Sequence, residues 1–171
     1  GRKVEFQLNQ YGETEQITTP TGEIYRYEYN GFGQVTNSTL PDGKGWQFIY
    51  GDKGQLCSVV DPQSLRQEYR YGELGALVRQ ILPNGAEWRY SYNTQHQVSE
   101  IIAPDGGVTL LNQDIFGRLK DSQDPLGHIT RYAYSPQHAS PTGSVSQIYL
   151  PDGCVTLLNQ DIFGRLKDSQ D

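Results

Sequence analysis

The sequence predicts an all-β protein, an array of about eight 21-residue β-hairpin repeats that form a large curved antiparallel sheet. Three observations predict it. A Pro-x-Gly triplet returns every 21 residues, a second glycine keeps the same step between the prolines, and aromatic residues alternate with polar residues after each triplet. A fixed period of this length is typical of repeat proteins, in which each unit is one supersecondary element.

The Pro-x-Gly triplets mark one turn of every repeat. The step of 21 residues holds from Pro20 to Pro125, and Pro62 keeps its place without a glycine at the third position. Proline presets φ for the first corner residue and glycine accepts a positive φ, so we expect a tight turn at each triplet. The glycines of these turns are Gly22, Gly43, Gly85, Gly106, Gly127 and Gly153.

A second turn lies between successive prolines. Its pattern is visible in Asn30-Gly-Phe-Gly33 and Asp114-Ile-Phe-Gly117, where Asn or Asp leads and a glycine follows three residues later. Such a glycine in the left-handed conformation closes a hairpin with a bulge. His96 stands where one glycine is expected, and the glycines of these turns are Gly12, Gly33, Gly54, Gly75, Gly117, Gly143 and Gly164.

Alternating aromatic residues predict the first strand of each repeat. Period-two alternation over about six residues indicates a half-buried strand, and aromatic side chains suit a pleated surface. One face of these strands is therefore aromatic, and residues such as Arg26 and Glu28 face water. We call the aromatic residues the ladder: Tyr25, Tyr27, Tyr29, Trp46, Phe48, Tyr50, Tyr69, Tyr71, Trp88, Tyr90, Tyr92, Tyr132 and Tyr134.

The second strand of each repeat begins with an aliphatic residue two places after the second turn glycine, as at Val35 and Leu56. Two strands of about seven residues fill one repeat. We expect one array over residues 1–171 with no separate domain. The phase of the repeat at Gly1 and Asp171 suggests that this array is a piece of a longer one. A partial unit covers residues 1–19, and the others cover about 20–40, 41–61, 62–82, 83–103, 104–124, 125–150 and 151–171.

Two irregularities interrupt the repeat pattern. The segment SPQHASPT after Tyr134 adds five residues, and its prolines and polar residues predict a surface loop, which is either a tolerated insertion or a partner contact. Residues 104–124 and 151–171 agree at every position except Gly107 and Cys154. Other pairs of units agree at only a handful of positions, so the fold does not require this identity, and duplication or the way the chain was assembled explains it.

Composition and charge exclude several classes of function. The net charge of -6 and the pI near 5.0 argue against a nucleic-acid or anionic-membrane surface, which needs a basic face. No run of 18 apolar residues and no signal-peptide pattern occur in the sequence. Cys57 and Cys154 lie at different phases of the repeat, so we expect two free, partly buried thiols.

The sequence predicts no catalytic, metal or cofactor site. His96, His128 and His138 have no second histidine or cysteine at metal-ligand spacing. The aspartates of the Pro-Asp-Gly turns are explained by side chains that bond their own backbone: Asp42, Asp105 and Asp152. No Gly-x-Ser-x-Gly elbow marks a nucleophile, so we expect a protein that is not an enzyme.

The ladder leaves two interpretations open. Rows of Tyr and Trp on a sheet can stack sugars, which would make the chain an extracellular carbohydrate-binding or cell-surface-binding module. Alternatively the rings pack against their neighbours as the core, because ring pairs across strands contribute about 0.5–1.5 kcal/mol beyond burial.

The order Pro-x-Gly, Tyr-x-Tyr, then Asp/Asn-x-x-Gly-Arg/Gln-Leu/Val resembles the YD or Rhs repeat. The resemblance covers essentially the whole chain and is strongest at Tyr29–Val35 and at Asp114–Leu119 with its copy Asp161–Leu166. No unit carries the full motif, since Gln113 and Gln160 stand where tyrosine is expected before the aspartates. The family includes bacterial polymorphic toxins, insecticidal toxin-complex C components and the teneurins.

The resemblance implies a structural function. In this family the repeats form a spiralling β-sheet that closes into a shell, and in the bacterial members the shell encloses a toxic C-terminal domain. The implied partners are neighbouring repeats of the same parent chain, the enclosed toxin domain and a delivery or secretion partner. The implied location is secreted or delivered by a bacterial secretion system, with the targeting signal outside this chain. The resemblance assigns no catalytic residue here.

Overall fold

The computed structural model describes residues 3–134, 145–160 and 166–170, with side chains described up to residue 158. These residues form strands and turns and contain no helix, which confirms the predicted all-β hairpin array. Gly143, Gly164, His138 and the inserted segment after Tyr134 lie outside the described residues. The chain divides into two compact units, Gly1–Glu87 and Trp88–Asp171.

The first unit holds eight strands, and each consecutive pair of these eight strands is antiparallel. The aromatic strands are the odd-numbered ones, as the alternation of rings and polar residues predicts. The strands are β1 (Glu5–Leu8), β2 (Thr14–Thr18), β3 (Ile24–Tyr29), β4 (Val35–Thr39), β5 (Gly45–Tyr50), β6 (Leu56–Val60), β7 (Arg66–Tyr71) and β8 (Leu77–Ile81).

The second unit repeats this arrangement. Its strands also pair antiparallel in chain order, from β9 onward. They are β9 (Glu87–Tyr92), β10 (Val98–Ile102), β11 (Val108–Gln113), β12 (Leu119–Gln123), β13 (Ile129–Tyr134), β14 (Val145–Tyr149), β15 (Val155–Gln160) and β16 (Leu166–Gln170).

The Pro-x-Gly segments form the turns that join one hairpin to the next, and we call them corner turns. In the turn at residues 19–23, the Thr19 N–H donates to the Glu23 carbonyl at 2.9 Å and the Gly22 N–H donates to the Thr19 carbonyl at 2.9 Å. Gly22 has a φ of 90°, in the left-handed region that glycine tolerates. The same two bonds recur from the turn at residues 40–44 to the turn at residues 150–154.

The second turns, which we call return turns, use the same two backbone bonds within a hairpin. At residues 30–34, the Asn30 N–H donates to the Gln34 carbonyl at 2.9 Å, and the Gly33 N–H donates to the Asn30 carbonyl at 3.1 Å. The strand register shifts beside this turn, between Glu28 and Tyr29. A bulge of this kind increases the local twist of the strand.

Two turns adopt the left-handed conformation without glycine. Ser64 has a φ of 66° and His96 has a φ of 61°, and each stands at the repeat position that glycine fills elsewhere. The backbone therefore keeps its turn geometry where the sequence pattern lapses, and the non-glycine residue bears the strain.

We expect His96→Gly to raise the free energy of unfolding by about 0.5–1 kcal/mol, because glycine removes the left-handed strain and offsets it only partly by greater backbone entropy in the unfolded chain. Urea titration of both proteins measures the change. Gln95→Gly is the matched control, since Gln95 lies in the same turn with an ordinary φ, and it should destabilise the chain. A loss of stability in His96→Gly would contradict the assigned turn geometry.

Successive hairpins are displaced by a constant amount within each unit. Tyr27 lies opposite Ser38, and Ser38 lies opposite Trp46, although the repeat equivalent of Tyr27 is Phe48. In the second unit, Ile101 lies opposite both Tyr90 and Thr109 in the same way. Each repeat therefore advances by two residues along the strand, or about 7 Å.

Side chains on these strands are only partly buried. Among the described residues no apolar side chain is fully buried, and Ser58 is the buried polar one at 2% exposure. Alternation is clear in β3, where Tyr25, Tyr27 and Tyr29 are half-buried while Arg26 and Glu28 are exposed. The described repeats are therefore held together through strand pairing and side-chain bonds more than through a dry core.

Candidate functional site

The ladder lies on the odd-numbered strands and is half-buried except at Trp46, which is 41% exposed. Tyr27, Phe48 and Tyr90 occupy equivalent positions, as the repeat requires. Among the described strand pairs no ladder ring lies directly opposite another ladder ring, because the ladder strands alternate with return strands, and the Tyr149 ring of β14 lies opposite Arg131. The residues directly opposite the central rings are Ser38, Val59, Gln80, Ile101 and Ile148.

In four of the aromatic strands the last tyrosine bonds to the preceding hairpin. The Tyr29 hydroxyl donates to the Thr14 carbonyl at 2.7 Å, across to the first residue of β2. The same bond, always 15 residues back, joins Tyr50 to Val35 at 2.9 Å, Tyr71 to Leu56 at 2.9 Å and Tyr134 to Leu119 at 2.7 Å. These tyrosines therefore bind one repeat to the one before it.

Gln113 makes the same bond without an aromatic ring. Its Nε2 donates to the Val98 carbonyl at 2.8 Å, also 15 residues back. The departure from the repeat motif at this position therefore preserves the connection between repeats. Sequence reasoning missed this role, since the motif gave only the absence of tyrosine.

Partial burial raises the pKa of Tyr29, Tyr71 and Tyr134 above that of a free tyrosine. At Tyr29 the Glu13 carboxylate adds to the effect, and at Tyr134 the Asp114 carboxylate does. A raised pKa keeps the hydroxyl protonated and able to donate to the carbonyl across the physiological pH range.

We expect Tyr71→Phe to lower the free energy of unfolding by about 1–2 kcal/mol, because the half-buried Leu56 carbonyl loses its hydroxyl donor. Tyr69→Phe is the control, since the Tyr69 hydroxyl accepts a bond from the Gln67 side chain instead of bonding the neighbouring hairpin. Urea midpoints at unchanged m-value measure both variants. Equal losses in the two would contradict a special role for the bond between repeats.

Side chains also connect successive return turns. Gln34, which follows the turn glycine, donates from Nε2 to the Gly54 carbonyl of the next return turn at 2.8 Å. Gln97 donates in the same way to the Gly117 carbonyl at 2.6 Å. A long polar residue recurs after the turn glycine in the sequence, which marks these positions but does not identify the carbonyls they bond.

Where Asn or Asp leads a return turn, its side chain caps the backbone, whereas Gly51 and Gly72 lead two return turns without such a cap. Asn30 Oδ1 accepts from the Phe32 N–H at 2.9 Å and the Gln34 N–H at 3.1 Å, and Asp114 Oδ1 accepts from the Phe116 and Arg118 N–H groups at 2.9 and 3.0 Å. Asx residues favour turns because their short side chains reach backbone two residues on. The capping residue thereby fixes the turn that the following glycine closes.

Arg118 binds the Asp114 carboxylate and lies over the Tyr134 ring. Its Nε donates to Asp114 Oδ2 at 2.7 Å, its second guanidinium contact to that oxygen is 2.6 Å, and its Cζ lies 4.2 Å from the Tyr134 ring centroid. The Arg118 and Asp114 side chains are 13% and 19% exposed. The arrangement joins a return turn to the aromatic strand of the following repeat.

Partial burial alone would raise the pKa of Asp114. The hydrogen bond from the Arg118 side chain, the backbone N–H bonds and the Arg118 charge outweigh burial and hold the pKa of this carboxyl below its usual value. A carboxyl with a lowered pKa in the folded state adds stability above its unfolded pKa near 3.9, and that stability is lost as pH falls through the folded pKa.

We therefore expect Asp114→Asn to be less stable than the parent chain at pH 7, with a difference that shrinks below about pH 4. Urea titrations from pH 7 to pH 2.5 measure the difference. A stability difference that stayed constant over this range would show that Asp114 contributes through its shape and not through its charge.

No catalytic arrangement appears in the described residues. His128 Nδ1 lies 2.9 Å from Asp124 Oδ2 inside a corner turn, and His96 lies in a return turn. Cys57 and Cys154 are free, but Cys154 is exposed and not partly buried as expected. Within residues 3–134 and 145–158, no three His, Cys, Asp or Glu side chains come together to hold a metal ion.

Two shallow depressions of the described surface lie between successive return turns. One is lined by Asn9, Tyr29 and Gly31, and another by Gly54, Tyr71 and Gly75. Neither places a nucleophile beside a base. The described residues contain no helix with the length and hydrophobicity needed to cross a bilayer.

Solved structures with the same fold include toxin-complex assemblies. A TcdB2-TccC3-Cdc42 crystal structure matches with a TM-score of 0.70 and 16% identity, covering 93% of this chain and 10% of that chain. A Photorhabdus luminescens Tc holotoxin pore carrying the TccC3 D651A mutation matches with a TM-score of 0.67 and 15% identity, covering 97% of this chain and 12% of that chain. This chain thus spans about a tenth of the length of those chains.

Sequence comparison gives the family. No match was found among curated proteins. The family model described as the teneurin YD-shell matches residues 2–150, which is most of the chain. Together with the repeating turn, strand and tyrosine bonds, this match shows that the chain belongs to the teneurin YD-shell family.

Proposed function

We propose that the chain is a non-catalytic wall segment of an Rhs-type shell, and that the shell encloses a C-terminal toxin domain of the parent protein. The single observation that supports this most strongly is the YD-shell family match over residues 2–150. The function of the segment is to form a continuous barrier, so its working residues are those that hold one repeat to the next.

The bonding between repeats supports a barrier. Each hairpin pairs with its neighbour along the strands, the Tyr29-type hydroxyls bond backwards, and the Gln34-type amides bond forwards. Between the second and third repeats, a gap would require the pairing of β4 with β5, the Tyr50–Val35 bond and the Gln34–Gly54 bond all to break. A wall that keeps an enclosed domain from solvent needs this redundancy.

The constant displacement of successive hairpins supports a closed wall. Sheets that coil or close require a regular stagger of the strands, and each repeat here advances by two residues. The bulge beside each return turn adds twist in the same sense at every repeat. Closure would also protect sheet edges that otherwise pair with other chains.

The partners and location follow from this proposal. The partners are neighbouring repeats, the enclosed toxin domain and a delivery or secretion component of the parent protein. The location is outside the producing cell, after secretion or delivery. The toxin-complex assemblies that share the fold are other proteins, and they supply the analogy for this chain.

Limited proteolysis of the full gene product that contains this chain tests the proposal. An enclosed domain should resist protease until the shell is unfolded, and Gly33→Val should release it at lower urea than Gly31→Ala. Electron microscopy of the same protein should place residues 3–134 in a wall around internal density. A wall with no internal density, or cleavage of the enclosed domain at the same rate with and without urea, would overturn the proposal.

A further inference from the structure

Two hairpins of the second unit are built from strands of identical sequence. Residues 104–124 and 151–171 differ only at Gly107 and Cys154, and both of these residues lie in corner turns. Strands β11 and β15 therefore share the sequence VTLLNQ, and β12 and β16 share LKDSQ. Any strand that pairs with one copy meets the same residues in the other.

The two copies also pair in the same register. Val108 and Thr109 lie opposite Ile102 and Ile101 of β10, and Val155 and Thr156 lie opposite Tyr149 and Ile148 of β14. The third pair places Leu110 opposite Glu100 and Leu157 opposite Gln147. Because register fixes which face each side chain occupies, β10 can receive β15, and β14 can receive β11, without a shift.

We propose that two copies of this chain associate by unequal strand exchange. The first copy opens at residues 103–107 and the second at residues 150–154. The β15 strand of the second copy then pairs with β10 of the first, and the β11 strand of the first copy pairs with β14 of the second. Every strand pair that breaks is replaced by a pair with identical VTLLNQ residues, so no pairing is lost.

The hinges suit this exchange. Each corner turn gives up two backbone bonds, which are Ala103 N–H to Gly107 and Gly106 N–H to Ala103 in one turn, and Leu150 N–H to Cys154 and Gly153 N–H to Leu150 in the other. Pro104 and Pro151 bias the residues before them toward extended backbone. Five extended residues span about 17 Å, enough to run between two neighbouring arrays. Short hinge loops under constraint favour domain swapping.

Duplication changes the product of the exchange. Ordinary swapping returns each strand to its equivalent place, so both arrays keep their length. Here β10 of the first copy is followed in its array by β15 and β16 of the second copy. In the other array, β14 of the second copy is followed by six strands of the first copy, β11 to β16. The duplicated hairpin thus lets the chain form an array with four strands more than its own, and a shorter one in the same dimer.

Cysteine pairs in two separately purified chains test the exchange. In a Cys57→Ser, Cys154→Ser background, one chain carries Ile101→Cys and the other carries Thr156→Cys. The two are mixed, unfolded in urea, refolded together at high concentration and treated with a short bis-maleimide. We expect a heterodimer that links positions 101 and 156, because these residues lie opposite each other only after unequal exchange.

The matched control replaces Thr156→Cys with Gln67→Cys at the same repeat position. Pairing of that segment with β10 would set Glu68 opposite Glu100, and like charges directly opposite are unfavourable, so we expect about tenfold less heterodimer. A chain with both Ile101→Cys and Thr109→Cys shows that the linker reacts across β10 and β11. If either variant fails to fold, Ile102→Cys with Val155→Cys repeats the test. Absence of the 101–156 heterodimer, or equal yields for 156 and 67, would overturn the proposal.

Discussion

Replacing Gly33 with valine should lower the free energy of unfolding by about 2 kcal/mol or more, since the left-handed conformation is strained for any L side chain and most for a β-branched one. Gly33 has a φ of 75°, and a Cβ atom there would lie 2.9 Å from Glu13 Oε1 of the preceding return turn. The substitution therefore strains its own turn, and the Glu13 side chain of the preceding return turn has to move aside.

Gly31→Ala is the matched control for Gly33→Val. Gly31 lies in the same return turn, its φ is not positive, and a Cβ atom there would meet no atom within 4 Å. We expect the urea midpoint of Gly31→Ala to stay within a few tenths of 1 M of the parent midpoint or to rise slightly, because alanine lowers the entropy of the unfolded chain. Equal midpoints for Gly33→Val and the parent would refute the turn assignment at the centre of the repeat.

The sequence predicted the turns and strands well because their causes are local. Proline presets φ at Pro20, glycine permits positive φ at Gly22, and alternation assigns Tyr25 and Tyr27 to one face of β3. His96 shows the limit of the glycine pattern. There the neighbouring strands impose a φ of 61° on a residue that does not favour it, so the fold overrides the local preference.

The bonds between repeats could not be predicted from the pattern, because they depend on register. Tyr29 and Thr14 are 15 residues apart, and only the pairing of β2 with β3 places that hydroxyl at the Thr14 carbonyl. Gln113 resembles Tyr29 in neither size nor class, yet its amide reaches the equivalent carbonyl. The motif identified which positions recur, whereas the structure identified the atoms through which they act.

The rings illustrate a second limit. Period two correctly placed Trp46 and Phe48 on one face, but it could not tell which residues would stand beside them. Since aromatic and return strands alternate, the ring of Phe48 faces Val59 and not another ring. Direct pairing of ladder rings across adjacent strands, which the core interpretation invoked, requires a strand order that neither unit adopts.

Arg118→Ala should lower the free energy of unfolding by about 2 kcal/mol. Breaking a fully buried ion pair costs about 3–5 kcal/mol, and the partial exposure of Arg118 and Asp114 reduces this figure. Alanine leaves the Asp114 carboxylate with backbone donors alone and uncovers the face of Tyr134, whose ring lies 4.2 Å from the Arg118 Cζ atom. Urea titration at pH 7 measures the loss.

The first unit supplies the control for this substitution. There Asn30 and Gln34 occupy the positions of Asp114 and Arg118, Asn30 Nδ2 donates to Gln34 Oε1 at 3.0 Å, and the Asn30 cap is otherwise the same. Arg118→Gln combined with Asp114→Asn recreates this neutral pair, so we expect the double variant to recover at least about half of the loss. A double variant as unstable as Arg118→Ala would mean that charge and ring contact, and not the capped turn, hold this repeat to the next.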